Sequence, residues 1–143
     1  MAPAELDDYC WLTSREAEPY LQAAATCNGS PAEVARLRRD LSPARTHLVL
    51  EQAELRRRAR GKFARAAEMF FTRRGLEQAT DQTVAAYNAA RLLAAAAAQG
   101  PICDLCCGIG GDLLALAASL SSAPPDATVL AVDADPLVAH LAA

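Results

Sequence analysis

A strand ends, a tight turn follows and a helix begins within Ile102-Cys103-Asp104-Leu105-Cys106-Cys107-Gly108-Ile109-Gly110-Gly111-Asp112. Pro101 to Leu105 is a short, mostly apolar run between Gly100-Pro101 and the glycines, the pattern of a buried parallel strand. Beyond the turn, Leu113, Leu114, Leu116, Ala117 and Leu120 recur at helical spacing, which predicts a helix with one face packed back on that strand. Strand, glycine turn and helix in this order cradle nucleotides.

The charges around the turn narrow the choice of nucleotide. A dinucleotide fingerprint, G-x-G-x-x-G/A, seats a pyrophosphate on the helix N-terminus and uses its third glycine for close helix–strand packing. Counted from Gly108, the third position is Leu113, which does not fit. Asp104 and Asp112 flank the turn and would repel a pyrophosphate, at a cost least screened inside a cleft. A phosphate loop ending in Gly-Lys-Ser/Thr is absent from the sequence. A ligand with adenosine at one end and positive charge at the other suits these residues better.

A second strand is predicted over Thr128-Val129-Leu130-Ala131-Val132, after the turn-rich linker Ser121-Ser122-Ala123-Pro124-Pro125-Asp126. It ends on Asp133, and Asp135-Pro136 opens a helix, with Asp135 as N-cap and Pro136 at the first helical position. Asp133 stands 22 residues beyond Gly111, close to the roughly 20 expected for a carboxylate that accepts hydrogen bonds from ribose hydroxyls.

These residues resemble the first two motifs of the class I S-adenosylmethionine-dependent methyltransferases. The likeness is strongest to the bacterial methyltransferases that carry a THUMP-like domain, and more distant to trimethylguanosine synthase. It extends upstream through Met69-Phe-Phe-Thr-Arg-Arg-Gly-Leu-Glu-Gln-Ala-Thr80 and so covers roughly residues 50 to 143. The resemblance implies that Asp104 lies under the methionine ammonium end of S-adenosylmethionine. It further implies that backbone at Cys106, Gly108 and Gly110 lines the methionyl and ribose region, that Asp133 holds the ribose, and that Thr80 lies near the carboxylate end. Many members have glycine where this chain has Cys106; the trimethylguanosine synthase group also has another residue there.

The expected fold is α/β: a helical N-terminal region over residues 1–79, then the first β-α-β part of a Rossmann-like methyltransferase domain over 80–143. Two parallel strands leave both sheet edges open and much of one face uncovered. The 143-residue chain is therefore expected to be a fragment holding part of the cofactor site and inactive alone. The Asn/Asp-Pro-Pro-aromatic motif that orients a target nitrogen in amine-methylating members has no match, because Pro124-Pro125 lies in a linker before a strand. The expected reaction of the complete protein is methyl transfer to a base nitrogen in RNA, with no catalytic residue assignable. Two competing readings are an NAD-type oxidoreductase, which Leu113 and the flanking acids oppose, and a non-catalytic helical RNA-binding module.

Upstream, Ser14 to Cys27 reads as a helix that Pro19 interrupts, and Asn28-Gly29-Ser30-Pro31 is a break. Ser30 and Pro31 then start a helix through Val34, Leu37 and Leu41, and Ser42-Pro43 starts another in which Leu48, Leu55 and Ala59 share a face. Thr80 is expected to cap a helix reaching Gln99, with Val84, Tyr87 and Leu92 among its buried residues.

Charge is concentrated between Arg56 and Arg74. Eight of the 14 basic residues lie there and give a segment charge of +7 in a chain whose net charge is −3. Such a run is most often a solvated helix face, yet a local cationic surface in an acidic protein also binds phosphates, and RNA is the partner expected here. Phe63, Phe70 and Phe71 within the run are either buried or base-stacking.

Cys103 and Cys106 have the spacing of a redox pair, and Cys107 adds a third thiol, as in half a zinc site. No second ligand pair accompanies them, and alternate residues of a strand diverge, so buried strand and turn cysteines are expected and no metal. The acidic first residues have no signal-peptide pattern, Ala94 to Ala98 is too short an apolar run to span a bilayer, and five cysteines is an odd number. These features lead us to expect a cytoplasmic chain without membrane contact.

Overall fold

The computed structural model describes residues 6–27, 29–95, 101–120 and 128–142. The chain is mostly helical with one small parallel sheet, and it divides into two compact units, Met1–Arg58 and Ala59–Ala143.

The first unit contains α1 (Leu6–Leu12), α2 (Glu18–Ala25), α3 (Pro31–Asp40) and α4 (Pro43–Ala59), the last of which ends one residue into the second unit. Helix α4 is its centre. Thr46, Leu48, Val49, Gln52, Ala53 and Leu55 are all buried, which is more of the circumference than one amphipathic stripe supplies. Each of the large aliphatic side chains among them stabilises the unit by about 1.5–3 kcal/mol. Arg45 ties α4 to α1: its Nε lies 3.1 Å from Asp8 Oδ1, and its guanidinium stacks 4.6 Å from the Trp11 ring centroid.

Helix α3 begins as the sequence predicts. Ser30 Oγ accepts from the Glu33 amide while Glu33 Oε2 accepts from the Ser30 amide, a reciprocal capping box, and Pro31 follows at the first helical position. The helix expected from Ser14 starts later, at Glu18. Pro19 carries no amide hydrogen and has a fixed φ, so the first turn suits it and a helix interior does not. The Ser14 hydroxyl donates 2.7 Å to the Trp11 carbonyl, closing the end of α1 instead of capping α2.

The second unit contains α5 (Arg73–Gln78), α6 (Gln82–Ala95), β1 (Ile102–Leu105), α7 (Gly111–Leu120), β2 (Val129–Val132) and α8 (Pro136–Ala142). The strands pair in parallel from Ile102 opposite Val129 to Leu105 opposite Val132, so their carboxyl ends lie side by side. Helix α7 packs against α6 and β2, and α8 packs back on β2. Asp135 Oδ1 accepts from the Leu137 amide, so Asp135 caps α8 as expected.

The break between units falls at Arg58/Ala59, and residues 59–79 belong with the strands. Specific contacts hold them there. The Gln82 amide donates to the Lys62 carbonyl at 3.1 Å, and the Gln82 side chain accepts from the Ala64 amide at 2.7 Å. Gly75 sits so close to the glycine turn that a Cβ would collide with Ile109 Cγ2 and lie 2.8 Å from Thr72 Oγ1. Only glycine permits that approach.

Three expectations about this unit need correction. Helix α6 buries the small pair Ala85 and Ala89, whereas Val84, Tyr87 and Leu92 are exposed, Tyr87 at 61%. Ala85 and Ala89 lie four residues apart on one helix face, and that face rather than the one with the larger side chains is buried. Second, the strands are not buried on both faces: Ile102 and Asp104 are half-buried, but Leu105 is 70% exposed and Leu130 and Val132 are also exposed. Third, Asp81 rather than Thr80 caps α6, because Asp81 Oδ1 accepts from the Thr83 amide at 2.8 Å. The expected extension of α6 to Gln99 lies outside the described residues beyond Ala95, as does the linker Ser121 to Asp126. None of the described helices is long and apolar enough to cross a membrane.

Candidate functional site

A cleft of about 560 Å³ opens in the second unit between the segment Thr72 to Thr80 and the carboxyl ends of β1 and β2. Its floor is the turn from Cys106 to Gly111. Three alternate residues of that turn have left-handed backbones: Cys106 at φ 66°, Gly108 at 56° and Gly110 at 79°. The alternation turns the backbone sharply: the Cys107 amide donates to the Val132 carbonyl at 3.0 Å, and the Gly110 amide returns to the Cys107 carbonyl at 2.9 Å. For glycine such a φ is free, but for Cys106 it is strained by about 1–2 kcal/mol.

Four acids gather around this turn. Asp133 locks the two strand tips together: Oδ2 accepts from the Gly108 amide at 3.0 Å and Oδ1 from the Asp135 amide at 2.9 Å. The bonds from Asp135 and Gly108 hold its pKa below the ordinary carboxylate value. Asp112 accepts the Thr80 hydroxyl at 2.7 Å, joining the far wall of the cleft to the start of α7. Asp135 is engaged with the Leu137 amide. Asp104 differs from all three. Its Oδ2 is buried with no hydrogen-bond partner among the described residues, and burial, followed by repulsion from Asp112 and Asp133, pushes its pKa up.

The site residues expected from sequence divide into two groups. Thr80, Cys106, Gly108 and Asp133 line the cleft, whereas Asp104 and Gly110 do not. Gly110 is buried, and a Cβ added to it would meet Ala142 at 3.6 Å. Asp104 lies on β1 within electrostatic reach of Asp112 and Asp133. The cleft also recruits Thr72, Arg74, Gly75 and Gln78, which were not singled out as site residues although the segment containing them was. The signal for them was the upstream continuation of the resemblance through Thr80.

Lys62 is the mount for that wall. Its ammonium donates to the carbonyls of Leu76 at 2.9 Å, Glu77 at 3.3 Å and Ala79 at 3.0 Å, closing the C-terminal end of α5. The basic run is thus largely committed to structure. Arg57 donates to the Cys27 carbonyl at 3.3 Å, Arg65 pairs with Glu68, and partial burial lowers the pKa of Arg56. Phe63 and Phe71 are buried against each other, ring centroids 6.1 Å apart, so they are core residues and not stacking platforms for bases.

The cysteines also depart from expectation. Only Cys107 of the turn group is buried, and burial, then Asp104 and Asp133, raises its pKa, which keeps it a protonated thiol. Cys103 and Cys106 are exposed. Among the described residues no group of three His, Cys, Asp or Glu side chains is placed to hold a metal ion.

Comparison with known proteins bears on the first unit. The model of a domain of unknown function, DUF8688, matches residues 5–59, close to the extent of Met1–Arg58 and outside the cleft. No curated protein and no solved structure matches the chain.

Proposed function

We propose that the second unit is the cofactor-binding part of a Rossmann-like, class I methyltransferase and that its cleft holds S-adenosylmethionine. The observation that carries this reading is the acidic end of the sheet: Asp112, Asp133 and Asp135 line the cleft, and behind them on β1 an Asp104 oxygen is buried with no partner among the described residues. A cation bound in the cleft offsets the repulsion from Asp112 and Asp133 that helps to raise the Asp104 pKa. A pyrophosphate on the same turn adds charge of the wrong sign. Asp133, already fixed by two backbone amides, keeps lone pairs for ribose hydroxyls.

When bound, S-adenosylmethionine supplies a methyl group activated by its sulfonium charge, so that in-line positioning is the main demand on the protein. Asp112 and Asp135 set the polarity of the cleft, Asp133 orients the adenosine, and the backbone from Cys106 to Gly111 shapes the floor. The acceptor in this reading is a base nitrogen of RNA, with the exposed Arg60 of the second unit among the cations that would meet its phosphates. Calorimetry with S-adenosylhomocysteine and with NAD tests the assignment. Binding of the former only, weakened about tenfold or more by Asp133→Ala, is expected; preferential binding of NAD would refute it.

A further inference from the structure

Among the described residues, the cleft lining carries three carboxylates and a single cation. Asp112, Asp133 and Asp135 are each engaged in hydrogen bonds within the protein. Among the described residues, Arg74 is the only basic residue on the lining, and it is exposed and has no hydrogen-bond or ion-pair partner. Its backbone is held rigidly. Thr72 Oγ1 accepts from the Gly75 amide at 2.9 Å, Gly75 abuts Ile109, and Lys62 clamps three carbonyls at the other end of the same short helix. A guanidinium on a fixed backbone mount, lining the same cleft as three carboxylates, is half of a two-sign recognition site.

We propose that Arg74 binds the carboxylate of a zwitterionic amino-acid ligand whose cationic groups face the acids opposite. Resting on the S-adenosylmethionine reading above, this assigns Arg74 to the α-carboxylate of the methionyl group. The site then discriminates by charge at both ends of that group: the lining acids Asp112, Asp133 and Asp135 take the cation, and Arg74 takes the anion in the planar, two-point geometry that a guanidinium offers a carboxylate. A ligand lacking the carboxylate leaves Arg74 unpaired.

Isothermal titration of the whole chain with S-adenosylmethionine and with decarboxylated S-adenosylmethionine separates the possibilities. Wild-type protein is expected to prefer the carboxylated ligand about tenfold or more. Arg74→Met is expected to lower affinity for S-adenosylmethionine to that of the decarboxylated ligand while leaving the latter unchanged, and Arg74→Lys to restore part of the preference. Equal affinities in the wild type, or an Arg74→Met variant that weakens both ligands alike or neither, overturn the assignment of Arg74 alone. If wild-type protein binds neither ligand, the cofactor reading itself falls and takes this one with it.

Discussion

Replacing Lys62 by Met removes an ammonium that serves three carbonyl oxygens at once while keeping the length and apolar stem of the side chain. Two of its contacts, to Leu76 at 2.9 Å and Ala79 at 3.0 Å, are partly buried; the third, to Glu77 at 3.3 Å, is exposed. Hydrogen bonds to a charged group contribute about 1.5–3 kcal/mol each, but three acceptors sharing one donor group are not additive and the exposed one recovers water. The expected loss is therefore about 2–3 kcal/mol, confined to the opening of the segment that joins α5 to α6. Amide hydrogen exchange read by mass spectrometry over residues 76–83 should accelerate about 30- to 150-fold, because each 1.4 kcal/mol is a factor of ten. Lys62→Arg should lie between the two. A rise of less than threefold over that segment would show that the clamp does not hold the cleft wall.

Cys106→Gly should stabilise the protein by about 0.5–1 kcal/mol in urea unfolding, since relief of a left-handed backbone worth about 1–2 kcal/mol exceeds the added chain entropy of glycine; a destabilised variant would contradict the strain. Gly75→Ala should cost more than about 1 kcal/mol and abolish ligand binding, because the new methyl group has no room against Ile109, and unchanged stability would show that the approach is looser. Asp104 has a raised folded pKa, so its protonation stabilises the fold below the unfolded value of about 3.9 and that stabilisation is lost as pH rises through the folded pKa. Asp104→Asn should consequently be more stable than wild type at pH 7, with the gain vanishing in acid, while losing ligand affinity; a gain that persists at low pH would be inconsistent. Asp133 has the opposite sign: its depressed pKa contributes stability above the unfolded value that is lost as pH falls through the folded pKa, so Asp133→Asn should lower the unfolding midpoint at pH 7, by an amount that shrinks as the pH is taken down through that folded pKa.

The parts of the structure legible in the sequence were those with local chemical causes. Ser30-Pro31 and Asp135-Pro136 dictate helix starts through their own side chains, and both starts are present. The glycine turn followed by Asp133 placed the strand tips and their acids. What the sequence hid depends on partners. Apolar periodicity in α6 pointed to Val84, Tyr87 and Leu92 as core, but helix packing selected Ala85 and Ala89 because small residues fit the contact with α7. Cys103 and Leu105 read as buried because apolar strands usually are, yet burial is a property of whatever covers a sheet and not of the strand. Lys62 and Arg65 read as surface charge, and only the fold reveals that one caps a helix and the other pairs with Glu68. Arg74 carried no distinguishing pattern within a run of arginines; its placement on the cleft is a tertiary fact.

The unpartnered Asp104 carboxylate on β1 senses the charge of whatever binds in the adjoining acidic cleft. Carbon-detected NMR titration of the Asp104 carboxyl, with and without S-adenosylhomocysteine, measures that response directly. A raised pKa in the free protein that falls when the ligand's ammonium group arrives is expected. A bound ligand that leaves the Asp104 pKa unchanged, or raises it further, would contradict the account.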